Sequence, residues 1–221
     1  MSLTYIALIV ATLVIGVGAQ AYVKHQLSKH KNISSELATT GAQAAQKMLA
    51  DHGIYDVQIH RGAPGQDFFD PRSNSITLDP DAYSGSSVTS VAVACHEVGH
   101  AIQYNQEFAP LKFRSALVPV VNLCSNAWIF LFMAGIFFQM TQMITIAIVF
   151  YSVAVIFQIV TLPVEFDASR RAMNYLHASG ISQGEQLGAY RVLQACAFTY
   201  VAAALVSILN LLYILGVSRS E

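Results

Sequence analysis

Long uncharged stretches alternate with polar ones along the chain, and the uncharged stretches predict helices that span a membrane. The first runs from Leu3 to Val23 and contains no charged residue. The second, residues 115–164, lacks Asp, Glu, Lys, Arg and His throughout. At about 1.5 Å per residue it is too long for one crossing of a hydrocarbon layer of about 30 Å, and it suits two. The third runs from Val192 to Ser218 and predicts a further span.

Four spans therefore divide the chain, with a turn expected at Gln139 to Met143 between the second and the third. We interpret the first span as a retained anchor and not as a cleaved secretory signal, because no Lys or Arg precedes it and no cleavage site of small residues stands out. The predicted segments are a membrane anchor at residues 1–23, a polar segment at 24–114, a membrane hairpin at 115–164, a polar helix at 165–191 and a last span at 192–218.

The polar segment between the first two spans combines helical and strand-like patterns. Apolar residues that recur every three or four positions indicate helices, and strict alternation indicates strands. We therefore expect a mostly α membrane protein of about four transmembrane helices with a small α+β segment, in which a short β-hairpin precedes the last helix. The patterns predict a helix over residues 35–52 that ends at Gly53, strands at 56–60 and 75–78 with turn-forming residues at 70–74, and a helix over 88–106.

The last of these predicted helices contains the pentapeptide His96-Glu97-Val98-Gly99-His100. Residues four apart lie on the same face of a helix, so the two imidazoles can bind one Zn²⁺. Glu97 lies beside them and is placed to take a proton from a zinc-activated water, which is the general-base step of metal-assisted hydrolysis. Two surface histidines flanking an ordinary glutamate are the alternative interpretation.

Catalytic zinc usually has three protein ligands, so a further His, Asp or Glu is expected. Glu165 is the favoured candidate, because the predicted membrane hairpin returns the chain to the side where the pentapeptide lies. A carboxylate beside the apolar boundary is also costly unless it is paired or bound to a metal. A salt bridge from Glu165 to Arg170 or to another basic neighbour is the alternative. Asp167 is the second candidate, either as a ligand or as a hydrogen-bond acceptor or ion-pair partner near the metal.

Composition supports a membrane protein and predicts its orientation. Hydrophobic residues make up 54% of the chain and charged residues 11%, against about 25% charged in ordinary soluble domains. Every Lys and Arg except Arg219 lies in residues 24–114 or 170–191, and four spans put both segments on one side. The positive-inside rule makes that side the cytoplasm. The three cysteines are scattered among apolar residues, so buried thiols are expected and disulfides are not.

These features favour a membrane-bound zinc endopeptidase that cleaves membrane-associated proteins or peptides at the cytoplasmic surface of the bilayer. An unpaired edge of the small sheet could hold the substrate by strand addition, or the sheet could merely cover the fold. The oxyanion needs a donor besides zinc. The candidates for that donor are His177, Tyr190, Arg191 and Tyr200.

Two other functions are open at this point. One is a non-catalytic, zinc-stabilised scaffold or chaperone-like binder, against which the placement of Glu97 argues. The other is a small transporter, which would need ionisable residues within the spans, and residues 115–164 have none. No nucleic-acid partner is expected, and the sequence does not indicate an oligomeric state.

Two stretches resemble a known family. The motif H-E-x-x-H-A-x-Q at residues 96–103 and the stretch 162–172 are similar to the YugP-type family of bacterial membrane zinc metallopeptidases, and the likeness covers nearly the whole chain. The resemblance implies a neutral zinc peptidase in a bacterial cytoplasmic membrane. It also implies His96 and His100 as zinc ligands and Glu97 as the catalytic residue.

More distantly, the chain is similar to the HtpX- and Ste24-type gluzincins, whose second motif is E-x-x-x-D. Glu165 fits the first position of that motif, but Ser169 stands where the motif has Asp. The serine at position 169 changes the residues around the proposed zinc ligands, but it does not change the proposed ligand Glu165.

Overall fold

The computed structural model describes residues 3–218, and the described part is mostly helical, with one small sheet. The predicted fold class, a mostly α membrane protein with a small α+β segment, is confirmed. In chain order the elements are α1 (Leu3–Lys31), α2 (Gly41–Asp51), β1 (Gln58–Arg61), β2 (Phe68–Asp70), β3 (Ser75–Leu78), α3 (Pro80–Ser84), α4 (Val88–Asn105), α5 (Ala109–Phe137), α6 (Thr141–Ala178) and α7 (Gln183–Ser218).

Four of the described helices, α1, α5, α6 and α7, are long and apolar enough to cross a membrane. The chain turns between α5 and α6 at residues 138–140, where Gln139 has a positive φ of 56°. The turn predicted at residues 139–143 is therefore shorter and begins one residue earlier. Many apolar side chains on the four helices face outward, as expected for surfaces that contact lipid.

Each of these helices continues beyond the uncharged stretch that predicted it. The predicted polar helix at 165–191 is not a separate element, because α6 runs without a break through Glu165 to Ala178. A tight turn with Gly180 at a φ of 77° then leads into α7. Loss of apolar character marks where a helix leaves the lipid, whereas its backbone hydrogen bonds continue into the polar region. Arg219, beyond α7, lies outside the described residues.

The polar segment between α1 and α5 is built around α4, which is buried between α2, α6 and α7. Helix α2 begins later than predicted, because Thr40 and Gln43 form a capping box at its N-terminus. The predicted end is confirmed, since Gly53 has a positive φ of 71°. The cysteines are free thiols as predicted, and Cys95 is fully buried in the core of this segment.

The sheet differs from the predicted hairpin. Strands β1 and β3 are the two predicted strands, but they pair in parallel. The antiparallel partner of β3 is β2, and the turn-forming residues at 70–74 connect these two strands. Strand β2 was missed because it is only three residues long and has no alternating pattern of its own. The sheet order is β1-β3-β2, so β2 lies at an edge.

Candidate metal centre

Two imidazoles of α4 face each other on one side of that helix. His96 and His100 are one helical turn apart, and their ring centroids lie 4.7 Å from each other. Ser87 begins the helix by accepting a hydrogen bond from the backbone of Ser90, and the turns around the histidines are buried. The pair is therefore held on a rigid part of the core and not on a loop.

Glu165 of α6 completes a group of three potential ligands. Its Oε2 atom lies 3.3 Å from His96 Nε2 and 3.6 Å from His100 Nε2. Ligand atoms about 2.0–2.2 Å from a tetrahedral zinc are themselves about 3.3–3.5 Å apart, whereas direct charged hydrogen bonds are about 2.7–2.9 Å long. One ligand atom from each residue lies within 4.8 Å of the others. The spacing and the N, N, O donor set fit a zinc ion.

A glycine within the pentapeptide sets the distance between α4 and α6. A Cβ atom on Gly99 would lie only 2.6 Å from the carbonyl oxygen of Ala168. Because that atom belongs to the backbone of α6, no side-chain rotation could relieve the clash. Gly99 thus allows the close approach that brings Glu165 to the histidines, a role that helical spacing alone does not reveal.

A buried hydrogen-bond chain fixes the orientation of the second imidazole. The side chain of Gln103 is fully buried, and its Nε2 donates to the carbonyl oxygen of Val164 at 2.8 Å and to Asp167 Oδ2 at 3.0 Å. These two bonds use both amide protons, so Gln103 Oε1 is the acceptor for His100 Nδ1, 3.0 Å away. His100 therefore carries its proton on Nδ1 and presents the lone pair of Nε2 to the metal position.

The first imidazole has a corresponding partner. His96 Nδ1 lies 3.2 Å from the Oγ atom of Ser169, the residue that stands where the gluzincin motif has Asp. A metal bound at His96 Nε2 would require the ring proton on Nδ1, which would then donate to the serine hydroxyl. The hydroxyl thus holds the ring of His96 without adding a charge to the site.

Glu165 and Asp167, the two candidates for the third ligand, have different neighbours in the structure. Asp167 forms ion pairs with Arg170 and Arg171 and accepts a hydrogen bond from Gln103. It therefore serves as the predicted acceptor and ion-pair partner, and it does not belong to the group of three potential ligands. Arg170 pairs with Asp167, whereas the basic neighbour of Glu165 is Arg114, whose Nη1 lies 3.8 Å from Glu165 Oε1.

The site has a negative field that favours a cation. Burial acts to lower the pKa of His100, but the neighbouring carboxylates of Glu165 and Glu97 outweigh it, so the pKa is raised. A raised pKa means that positive charge is stabilised at this position. A divalent ion bound between the same groups would gain from the same carboxylates.

The three potential ligands open into a cleft of about 500 Å³ between the sheet and helices α4, α5 and α7. Glu97 is largely buried, and it also lines this cleft. Of the predicted oxyanion donors, only Tyr200 lines the cleft within the described residues. Tyr190 lines a separate apolar cavity between α6 and α7.

Arg114 also lines the cleft and was not among the predicted site residues. Its Nη1 lies 3.8 Å from Glu165 Oε1, and its guanidinium carbon lies 6.0 Å from the centroid of the Phe157 ring. The sequence carried a signal for it, because Arg114 is the last charged residue before the long uncharged stretch. A cation at that boundary with a neighbouring buried carboxylate is a candidate site residue.

Comparisons with known proteins agree with this geometry. A family model described as "Putative neutral zinc metallopeptidase" matches residues 5–219. A protein of Bacillus subtilis (strain 168) described as "Putative membrane protease YugP" is 39% identical over 211 residues, which cover 94% of this chain and 93% of that protein. No solved structure matches the chain. Because both matches extend over nearly its whole length, the chain belongs to the neutral zinc metallopeptidase family and has a relative that is described as a membrane protease.

Proposed function

We propose that the protein is a membrane-bound zinc metalloendopeptidase that hydrolyses peptide bonds of membrane-associated proteins or peptides. The observation that carries this proposal is the convergence of His96, His100 and Glu165 beside Glu97 in one open cleft. A purely structural zinc site would gain nothing from an additional carboxylate facing a cleft. The non-catalytic scaffold is therefore the weaker alternative.

In the proposed mechanism His96, His100 and Glu165 hold the zinc ion. When bound, zinc polarises the substrate carbonyl and lowers the pKa of a water molecule towards neutrality. Glu97 accepts the proton of that water as the oxygen attacks the carbonyl carbon. The same carboxyl group then gives the proton to the leaving amide nitrogen as the peptide bond breaks.

Two side chains of the cleft, one a phenol and one a guanidinium, can donate hydrogen bonds to the carbonyl oxygen, which becomes negatively charged when the carbonyl is attacked. Tyr200 provides a phenol O–H from α7, and Arg114 provides guanidinium N–H groups from α5. Both groups come from helices that hold them at fixed positions. We assign the stabilisation of this oxygen to these two residues.

The edge strand β2 is the proposed contact for the substrate backbone. Phe68, Phe69 and Asp70 all line the cleft that contains Glu97. An extended peptide can add to an edge strand through main-chain hydrogen bonds. This arrangement would carry the substrate across the front of the zinc site and favours an endopeptidase.

The proposed site lies at the surface of the bilayer. Glu165 is about 36 Å along α6 from Thr141, at about 1.5 Å per residue, which slightly exceeds a hydrocarbon thickness of about 30 Å. Basic residues such as Lys24, Lys112 and Arg170 flank the spans on the same side as the site. By the positive-inside rule we propose a bacterial cytoplasmic membrane with the site facing the cytoplasm.

The test is the substitution Glu97→Gln, with Glu107→Gln as a matched control on the exposed surface at the end of α4. Detergent-purified protein is assayed for zinc content and for cleavage of casein. Glu97→Gln should retain zinc and lose cleavage by at least about 100-fold, because it removes the proton acceptor. The Glu107 variant should match the parent. Cleavage by Glu97→Gln at the parental rate would refute the proposal, and zinc without any cleavage by the parent would favour the scaffold.

A further inference from the structure

One carboxylate of the cleft has no part in the proposed mechanism. Asp67 lies at the end of the loop between β1 and β2 and immediately precedes the edge strand. It lines the same cleft as Glu97 and is only partly exposed. An extended peptide along β2 would therefore pass this carboxylate close to the scissile bond.

The side chain of Asp67 is held in place by the backbone that follows β3. The backbone N–H of Asp79 donates to Asp67 Oδ1 at 2.8 Å. Asp79 is itself fixed, since its own side chain accepts a hydrogen bond from the backbone of Ala82 at the start of α3. One oxygen of Asp67 is thus anchored, and the carboxylate has a defined position at the cleft wall.

Among the acidic residues that line the cleft, Asp67 and the proposed general base Glu97 form no salt bridge with a Lys or Arg of the described residues. Asp70 pairs with Arg72 at 3.2 Å, and Glu165 lies beside two imidazoles and Arg114. Within residues 3–218, no Lys or Arg forms a salt bridge with Asp67. Besides Glu97, which the proposed mechanism uses, the cleft therefore contains a second carboxylate, Asp67, that no Lys or Arg of the described residues neutralises.

The surroundings of Asp67 disfavour its ionised form when no cation is bound beside it. Burial raises the pKa of Asp67 to about 6, and the nearby charges of Asp79 and Glu97 act in the same direction. The hydrogen bond from the Asp79 backbone opposes the shift only in part. A partly buried carboxylate without a counter-ion gains more from a positively charged ligand than a fully hydrated one does.

We infer that Asp67 is a specificity-determining residue that binds a positively charged group of the substrate near the scissile bond. This inference rests on the proposed peptidase function. The group is an ammonium or guanidinium, which a peptide supplies either as a Lys or Arg side chain or as a free N-terminus. Asp67 thus selects among substrates by their charge, whereas Glu97 acts as the general base for every substrate.

The experiment compares quenched fluorescent peptides that differ only in charge, cleaved by the detergent-purified, zinc-loaded protein. One series places Lys, Arg or uncharged norleucine at each position flanking the cleaved bond. A second series compares free with acetylated N-termini and so separates the two sources of positive charge. The variants are Asp67→Asn, which keeps the shape and the acceptor for the Asp79 N–H, and Asp81→Asn, which removes an exposed carboxylate away from the cleft.

In one of the two series the parent should cleave the cationic peptide roughly 10- to 100-fold more efficiently, in kcat/KM, than its neutral counterpart, as expected for a charged hydrogen bond. Asp67→Asn should reduce that ratio to within about threefold of unity, and Asp81→Asn should keep it. Cleavage of the norleucine peptide by the parent tests the peptidase function separately. An equal ratio in the parent and Asp67→Asn would overturn the inference. So would an equal loss on all peptides, since Asp67 would then act through Glu97.

Discussion

Gln103→Leu is predicted to weaken zinc binding without unfolding the chain. Leucine fills most of the same volume, but it removes the acceptor for His100 Nδ1 in a fully buried position. A buried donor left unpaired costs about 1–3 kcal/mol, which is about 5- to 150-fold in a binding constant. Loss of hydrogen-bond partners behind metal ligands typically weakens metal affinity by about 10- to 100-fold. We therefore expect a loss of zinc affinity of about 10- to 100-fold.

The assay is a competition between the detergent-purified protein and a chromogenic zinc chelator at neutral pH. Gln106→Leu is the matched control, because Gln106 follows the same helix and accepts a hydrogen bond from Arg171, away from the metal position. The control should bind zinc as the parent does. If Gln103→Leu has parental affinity as well, Gln103 does not hold the tautomer of His100, and the proposed orientation of that imidazole is wrong.

The remaining predictions test other parts of the site. Gly99→Ala should displace α6, lower the zinc content and destabilise the fold by about 1–3 kcal/mol, as measured by thermal unfolding, since its Cβ would meet the Ala168 backbone; unchanged zinc and stability would contradict this. Ser169→Ala should weaken zinc binding by about tenfold in the chelator assay because His96 loses its partner, and parental affinity would exclude that role. Cys95 should resist maleimide labelling at neutral pH until the protein is denatured, since burial raises its pKa to about 12; rapid labelling of the folded protein would contradict its position in the core. Chelation of the metal should abolish cleavage, and added zinc should restore it; cleavage that persists without metal would refute the mechanism.

The residues of the site that could be predicted are those identified by their spacing within one helix or by the number of membrane spans that separate them. The two histidines and Glu97 follow from helical periodicity alone. Glu165 followed from counting spans, because two crossings return the chain to the same side of the membrane. In the structure these four residues line one cleft.

The parts that could not be predicted depend on contacts between elements that are distant in the sequence. The role of Gln103 requires knowledge that Val164 and Asp167 lie beside it. The constraint at Gly99 arises from the backbone of a different helix. Strand pairing was predicted wrongly for the same reason, since alternation marks a strand but does not say which neighbour it has.

The helix ends show a second limit. The charged residues within 165–191 predict a helix separate from the spans, yet α6 and α7 cross the boundaries of this stretch without interruption. Charged residues indicate where a helix is exposed to water, whereas the end of a helix depends on capping and turn residues such as Gly180. A pattern of polarity therefore does not by itself predict where a secondary-structure element ends.

Zinc content of purified Glu165→Ala and Asp167→Ala, measured by elemental analysis beside the parent, tests most directly whether two imidazoles and this particular carboxylate form the metal site. We expect about one zinc per chain in the parent and in Asp167→Ala, and loss of zinc in Glu165→Ala, as for three-ligand sites. Zinc retained in Glu165→Ala and lost in Asp167→Ala would contradict the assignment and place the third ligand at Asp167.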